Sequence, residues 1–397
     1  MGVVPVADID MFASSDRHTR YEQYRQLREL GGVVRLREPD VFVVTRYEEV
    51  KGVLGDHHTF VSGEGVGFNP DVNQMMRGVT LVSDAPEHGV LRSVVGAGLR
   101  PGAVRRRGEE IAEKARGLVA GVVGRGEIDG VRELAQAMPM LVIPDYLGLP
   151  ERNREHLYEW GQVGNDLLGP VTERTPYNME MTRRLFEFAH ELAEKRELEP
   201  GSPGAGMLEA ADQGVIPREK CPFLLVDYIG PSLETTASAI GHLLVLFAER
   251  PDQWAALRAE PGLVASTINE LLRFESPVRG LTRVAARDAE VGGVVVPKGA
   301  RVWALFASAN RDERKWERAD QFDFRRNPLD HLGFGFGAHN CVGQGVARLE
   351  LHALIHALIE SVERIELTGD PVIAENTLLN TYAEVPVRLV ARAGVAA

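Results

Sequence analysis

The run Phe334-Gly335-Phe336-Gly337-Ala338-His339-Asn340-Cys341-Val342-Gly343 sets one cysteine in a glycine-rich loop just ahead of a helix-forming segment. Gly335 and Gly337 permit backbone angles and close approaches that a side chain would block. Gly343, two residues past the cysteine, lets the next helix begin tight against a flat surface. Backbone N–H groups at that helix start can donate to the sulfur and favour thiolate over thiol. Cysteines in ordinary turns are mostly inert core residues; this one is presented.

A single presented thiolate suits an axial ligand of haem iron, where it pushes electron density onto the metal and favours O–O cleavage. The pattern Phe-Gly-x-Gly-x-His-x-Cys-x-Gly resembles the haem-binding signature of the cytochrome P450 family and is complete here. The resemblance implies haem b and O2 as cofactors, Cys341 on the iron, and Phe334, Gly335, His339 and Gly343 around the ring. It places His339 at a haem edge or propionate. It also implies a mainly α fold with small β-sheets, the cytochrome P450 fold, as a single haem domain over residues 1–397 with a β-rich portion built from early and late segments and a large helical portion.

Composition agrees with such a chain. At 397 residues it is long enough for two domains or one large fold, and 44% hydrophobic content supplies a large core. A formal net charge of −12 disfavours nucleic acid and anionic membranes. Cys221 and Cys341 are the only cysteines, and a Cys341 committed to iron leaves none for a disulfide, which suits a reducing compartment. Met1 to Asp10 carries no basic region followed by a long apolar run. The runs Met138 to Ile143 and Leu243 to Ala248 are far shorter than a bilayer span. A cytoplasmic protein without membrane partners is expected.

Periodicity predicts two strands over Gly32 to Val44 around Glu38-Pro39-Asp40, then a helix over Tyr47 to Leu54. Ser62 to Gly78 reads as a loop over a binding site. Helical spacing runs from Pro86 to Leu198, with breaks at Pro144 and Leu149-Pro150, and Pro200 to Gly206 reads as a loop. A long apolar helix ends near Arg250, and another spans Pro261 to Glu275. Short strands follow over Leu281 to Leu305, turning at Gly292-Gly293 and Pro297-Lys298-Gly299. Val346 to Val362 is helical, and β-like segments end at Pro386 to Val390.

Glu270 and Arg273 stand three apart on one helical face. They resemble the buried Glu-x-x-Arg pair of P450s, which with Arg326 would brace the cysteine loop by charged hydrogen bonds. His88 and Arg92 are four apart and both can donate to an anion. By resemblance they and Arg283 meet the haem propionates. In the long helix Thr235 resembles the threonine that hydrogen-bonds dioxygen, Glu234 its acidic partner, and Ser232 adds a hydroxyl. Where many relatives carry small residues, this chain has Pro231, which has no N–H for the Asp227 carbonyl, so a kink or bulge is expected there.

Ser62 to Gly67, Arg273 to Val278, Ser308 to Asp312 and Cys341 to Glu350 resemble bacterial P450s that oxidise para-substituted benzoates, notably by O-demethylation. Those enzymes hold the carboxylate with an arginine and serines, and the aligned positions here are Glu64, Asp227 and Gly230. Acids there would repel a benzoate. The expected substrate is a small neutral methoxylated aromatic, such as a guaiacol- or syringol-type phenol, which would release formaldehyde. Tyr228, Asp227 or Asn165 would receive a phenolic O–H. Val66, Phe68, Val163, Leu168, Val278 and Leu281 are the expected apolar walls.

The chain has no flavin or iron–sulfur motif, so NAD(P)H is expected to act indirectly, through a reductase and a ferredoxin. Arg92, Arg105, Arg106, Arg107 and Arg348 would form a basic docking face. Rival readings are a P450 hydroxylase of another hydrophobic or natural-product substrate, a peroxide-driven P450, and a non-enzymatic haem sensor.

Overall fold

The computed structural model describes residues 4–13 and 16–394; Met1 to Val3 of the N-terminal stretch lie outside the described residues. Its centre is the helix Cys221–Ala248, 28 residues long. Leu224, Leu225, Ile229, Leu233, Ile240, Leu243, Leu244, Leu246 and Phe247 are fully buried along it. Apolar residues on all sides mark a helix enclosed by others. Around it pack Ala137–Leu147, Arg154–Leu167 and Thr175–Lys195. The predominantly helical architecture with small sheets agrees with the sequence expectation.

A six-stranded sheet joins distant parts of the chain, with strands Val6–Ala7, Val33–Leu36, Val41–Val44, Arg301–Ala304, Leu281–Ala285 and Phe60–Val61 in that spatial order. The hairpin Val33–Leu36 with Val41–Val44 forms where the alternating pattern placed it. Its second strand pairs parallel with Arg301–Ala304, so early and late segments share one layer. Gly292 and Gly293 both adopt positive φ, 56° and 79°, closing the hairpin Ala289–Val291 with Val294–Val296. Only glycine takes two such angles without steric cost.

Several local expectations change. Pro144 lies inside Ala137–Leu147, and that helix ends only at Gly148, which is left-handed. Ser202 caps a helix that starts at Pro203, within the stretch read as a loop; its hydroxyl accepts from the Ala205 N–H at 3.1 Å. Pro231 lies inside Cys221–Ala248, which continues as α-helix on both sides of it.

Ser62 to Gly78 is also more ordered than its composition suggests. Asn69 caps the short helix Pro70–Met75 by accepting from the Asp71 and Val72 N–H groups. Asn73 accepts from Gly67 N–H at 2.9 Å and donates to Gly67 O at 3.0 Å, and Phe68 N–H donates to Leu168 O at 2.6 Å. These bonds fold the loop onto the end of the Arg154–Leu167 helix. Among the described residues no helix is long and apolar enough to cross a membrane.

Candidate functional site

The cysteine loop is built from its own backbone. Cys341 N–H donates to Phe334 O at 2.8 Å and Gly335 N–H to Leu332 O at 2.9 Å. Gly337 has φ +75°, and a Cβ there would stand 2.5 Å from the Leu54 carbonyl oxygen. A side chain is excluded both by conformation and by space. Gly337→Ala is expected to destabilise the protein by about 1–3 kcal/mol and to lower haem retention. Denaturant unfolding alongside haem content checks this, and parental values for both would mean that the loop relaxes freely.

Burial pushes the Cys341 thiol up, opposed by the Gly343 N–H, Arg92, the Gln344 N–H and Arg348. The helix Gln344–Ser361 starts three residues past Cys341, with Gly343 as its N-cap, so its first N–H groups point back at the sulfur. Arg92, on Glu87–Ala97, donates to the Asn340 carbonyl at 2.7 Å and ties that helix to the loop. Cys221 is free and buried at the start of the long helix.

One cavity is lined by Phe334, Gly335, His339, Cys341 and Gly343 of the loop, by His88, Arg92 and Arg283, and by Ser232 and Thr235 of the long helix. Four of these are cationic or donor groups set close together. The His88 and His339 rings are 4.0 Å apart, and His88 Nε2 is buried without a partner. Burial and Arg283 push His339 down to about 3, burial and Arg92 lower His88, and burial brings Arg283 down to about 10 with Asp84 opposing. Crowded donors around an orphaned nitrogen are the complement of an anionic group. Together with a presented thiol, they fit haem and its two carboxylates.

Behind the loop, Arg273 Nε and Nη2 donate to the two Glu270 oxygens at 2.7 and 2.8 Å, with both side chains fully buried. Arg273 Nη1 donates to Asn310 O at 2.8 Å and to Ala319 O at 2.9 Å. Arg326 Nε and Asp323 N–H donate to Glu270 Oε1 at 3.2 and 3.1 Å. Asn310 Oδ1 then accepts from Leu332 N–H, two residues before the loop. The three residues named from sequence thus form one network.

The adjacent acid and alcohol of the long helix diverge. Thr235 lines the cavity, and its hydroxyl donates to Pro231 O at 2.7 Å. Glu234 is buried off the cavity wall, where it accepts from Asn165 Nδ2 at 3.2 Å and Asn376 Nδ2 at 3.1 Å. Asn165 does line the cavity, so it links Glu234 to the interior. The Ser232 hydroxyl is committed to Tyr228 O at 2.5 Å and Ile229 O at 3.2 Å. Asn376 carried no sequence signal, being 142 residues from Glu234. Glu350 was also missed: it lines the cavity, is pushed up to about 8 by burial, and accepts from Thr236 Oγ1 at 3.4 Å.

Burial pushes Glu234 up from 4.5 to about 8. Across that window the folded chain holds a proton that the unfolded chain has released, so this group's stabilising contribution is lost as pH rises from about 4.5 to about 8. Glu234→Gln is expected to remove its share of that decline. The Tm difference between variant and parent should therefore move in the variant's favour from pH 5 to pH 8.5. A pH-independent difference would mean that Glu234 is ionised in the folded chain throughout.

The expected pocket walls divide. Asn165, Leu168, Asp227, Tyr228, Val278 and Leu281 line the cavity, whereas Val66, Phe68 and Val163 do not. Val66 is fully buried in a separate cluster, and the Phe68 ring packs edge-on against Phe12 and Trp303 at 5.0 and 5.2 Å. The Phe68–Leu168 backbone bond holds that part of the loop behind Leu168. Val163 belongs to the main core. Val72, Met75, Met76, Val79 and Leu81, not picked out from sequence, take their place in the cavity wall. Glu64 is exposed, 3.5 Å from Arg77, and absent from the cavity wall.

The expected basic face is also partly spent. Arg107 pairs with Glu110 at 2.9 Å, Arg348 donates to Asn269 Oδ1, and Arg92 serves Asn340. Arg105 and Arg106 remain exposed.

Comparison with known proteins converges on one family. Residues 128–382 match the family model Cytochrome P450. The chain is 35% identical over 390 residues to Cytochrome p450 CYP199A2 of Rhodopseudomonas palustris, covering 97% of this chain and 95% of that protein. It is 32% identical over 370 residues to Linalool 8-monooxygenase of Pseudomonas putida, covering 89% of each. The structure of Mycobacterium marinum cytochrome P450 CYP268A2 in complex with pseudoionone superposes with TM-score 0.87 at 26% identity, covering 98% of this chain and 100% of that one. The cysteine loop, the donor cluster facing it and these matches together make the chain a member of the cytochrome P450 family, the haem-thiolate monooxygenases.

Proposed function

We propose that this P450, acting as a single haem domain, oxidatively O-demethylates a small neutral methoxylated aromatic, a methoxyphenol. The carrying observation is Asp227, a carboxylate on the cavity wall with no cation among the described residues to pair with. A benzoate would meet like charge there, and Asp227 now carries the argument that Glu64 cannot. The likeness of Ser62 to Gly67, Arg273 to Val278, Ser308 to Asp312 and Cys341 to Glu350 to P450s that oxidise para-substituted benzoates supports an aromatic substrate.

Cys341 would hold the haem iron, with His88, Arg92, Arg283 and His339 holding its carboxylates. Bound haem supplies the insertion of one oxygen atom of O2 into a C–H bond, the other leaving as water with two electrons and two protons. For an aryl methyl ether the product ArOCH2OH then splits into ArOH and formaldehyde. Thr235 presents a hydroxyl at the cavity wall, held by Pro231 O. Glu234, protonated near neutral pH, is held beside Thr235 by the Asn165 and Asn376 amides as a buried proton store. Ser232 sets the local helix geometry through its bonds to Tyr228 and Ile229 rather than supplying a free hydroxyl. Val278, Leu281 and Leu168 hold the ring by apolar contact.

Ferredoxin and a reductase deliver the electrons, with Arg105 and Arg106 attracting an acidic partner. Reconstitution with ferredoxin, ferredoxin reductase and NAD(P)H should release formaldehyde from methoxyphenols faster than from methoxybenzoates. Efficient turnover with peroxide alone and none with the redox chain would overturn the electron route. No formaldehyde from any ether would overturn the O-demethylase reading. The similarity to Linalool 8-monooxygenase supports hydroxylation of another small hydrophobic molecule as the second reading, to which hydroxylated products in the same assay would point.

A further inference from the structure

Asp227 is the polar anomaly of the cavity. One carboxylate oxygen, Oδ2, accepts from Thr80 N–H at 2.7 Å, at the start of the one-turn helix Thr80–Val82. The other has no partner among the described residues, and Asp227 is half-buried on the cavity wall. Beside it, Thr80 Oγ1 is buried with no partner in good hydrogen-bond geometry, the same Asp227 carboxylate being its neighbouring acceptor, and Thr80 belongs to the same wall. Val72, Met76, Val79, Leu81 and Val226 make the rest of that wall apolar. Leaving a carboxylate oxygen and a hydroxyl unmatched in apolar surroundings is costly unless a ligand supplies the partners.

The two groups specify what that ligand brings. Asp227 offers an acceptor and Thr80 offers a donor, so the matching group both donates and accepts. A phenolic hydroxyl does both from one oxygen, whereas an ammonium brings three donors and no acceptor. Burial pushes Asp227 up to about 6, so it is mainly ionised at neutral pH and makes a charge-assisted bond. Asp227 also lies eight residues before Thr235, about 12 Å along the helix axis. Two helical turns separate the polar pair from the proposed oxygen-handling end. An ortho ether and hydroxyl share one edge of a ring, whereas a para pair stands on opposite edges and spans more of that distance.

Resting on the proposed function, we propose that Asp227 and Thr80 are the specificity-determining contacts of the cavity, receiving a substrate phenolic hydroxyl that lies across the ring from the methoxy group. Asp227 accepts from the phenol and Thr80 donates to it. The natural substrate is thus a para-methoxyphenol type rather than an ortho one. Asp227 is a positioning residue, acting on where the methyl carbon sits.

The test measures calorimetric affinities of the haem-loaded protein for 4-methoxyphenol, guaiacol, 1,4-dimethoxybenzene, 4-methoxybenzoate and 4-methoxybenzylamine, with formaldehyde release from each. The parent should bind 4-methoxyphenol about 10- to 100-fold tighter than 1,4-dimethoxybenzene, which lacks the donor. Asp227→Leu should erase that ratio. Asp227→Asn, which keeps an acceptor for Thr80 N–H but turns a donor toward the ligand, should also erase it without loss of fold, and Thr80→Val should reduce it. Equal parental affinity for the phenol and the dimethyl ether, or a ratio unchanged in Asp227→Asn, overturns the proposal. Tighter Asp227-dependent binding of the amine, tighter binding of the benzoate, or preferred turnover of guaiacol also overturns it. If the ratio behaves as expected but no ether yields formaldehyde, the binding assignment stands and the O-demethylase reading fails.

Discussion

Cys341→Ser is expected to eliminate monooxygenase turnover and the red-shifted absorption band of the reduced carbon monoxide complex, because a serine hydroxyl does not ionise or donate electron density as a thiolate does. The effect should be a loss to background, the largest of any single change in the chain. The fold should survive it: Cys341 contributes a backbone N–H to Phe334 O that serine retains. Circular dichroism and haem content therefore separate the chemical role from a structural one. Retention of the band in a folded, haem-loaded Cys341→Ser protein would sink the ligand assignment.

Glu270→Ala is expected to destabilise the protein by about 3–5 kcal/mol, the usual cost of stranding one partner of a buried ion pair. Arg273 would keep its bonds to Asn310 O and Ala319 O but lose both carboxylate oxygens, and Arg326 and Asp323 N–H would lose their acceptor. Through Asn310 and Leu332 the damage reaches the cysteine loop, so haem retention should fall with stability. Arg273→Lys should not rescue it, since an ammonium cannot reproduce a planar fork bonded at Nε, Nη1 and Nη2. Unfolding curves with haem content as a second readout check this. Near-parental stability and haem content in Arg273→Lys would show that the network does not brace the loop.

Most helices and strands were legible because their signals are local. The periodicity of Tyr47 to Leu54, the apolar run ahead of Arg250 and the Gly292-Gly293 turn each act within a few residues. Pro144 misled for the opposite reason. A proline's cost is local, but whether a helix tolerates it depends on what packs around that helix. Ser62 to Gly78 misled because Asn69 and Asn73 order it through bonds that composition does not reveal. Val66 and Phe68 were assigned to the cavity on sequence neighbourhood, and one backbone bond to Leu168 holds them behind it.

The amino-acid order alone was enough for the cofactor class, because thiolate presentation needs only a short run of contiguous residues from Phe334 to Gly343 and their local conformations. It was enough for Glu270 and Arg273 too, since a three-residue helical spacing is a local constraint. The tertiary structure alone decided which residues face the cavity. It separated Glu234 from Thr235, sending one to Asn165 and Asn376 and the other to the interior. It left Glu64 exposed and off the cavity wall, put Asp227 on that wall and set Thr80 beside it, 147 residues away in the chain. Contacts of that kind arise from packing between distant segments, for which a single sequence carries no local signal.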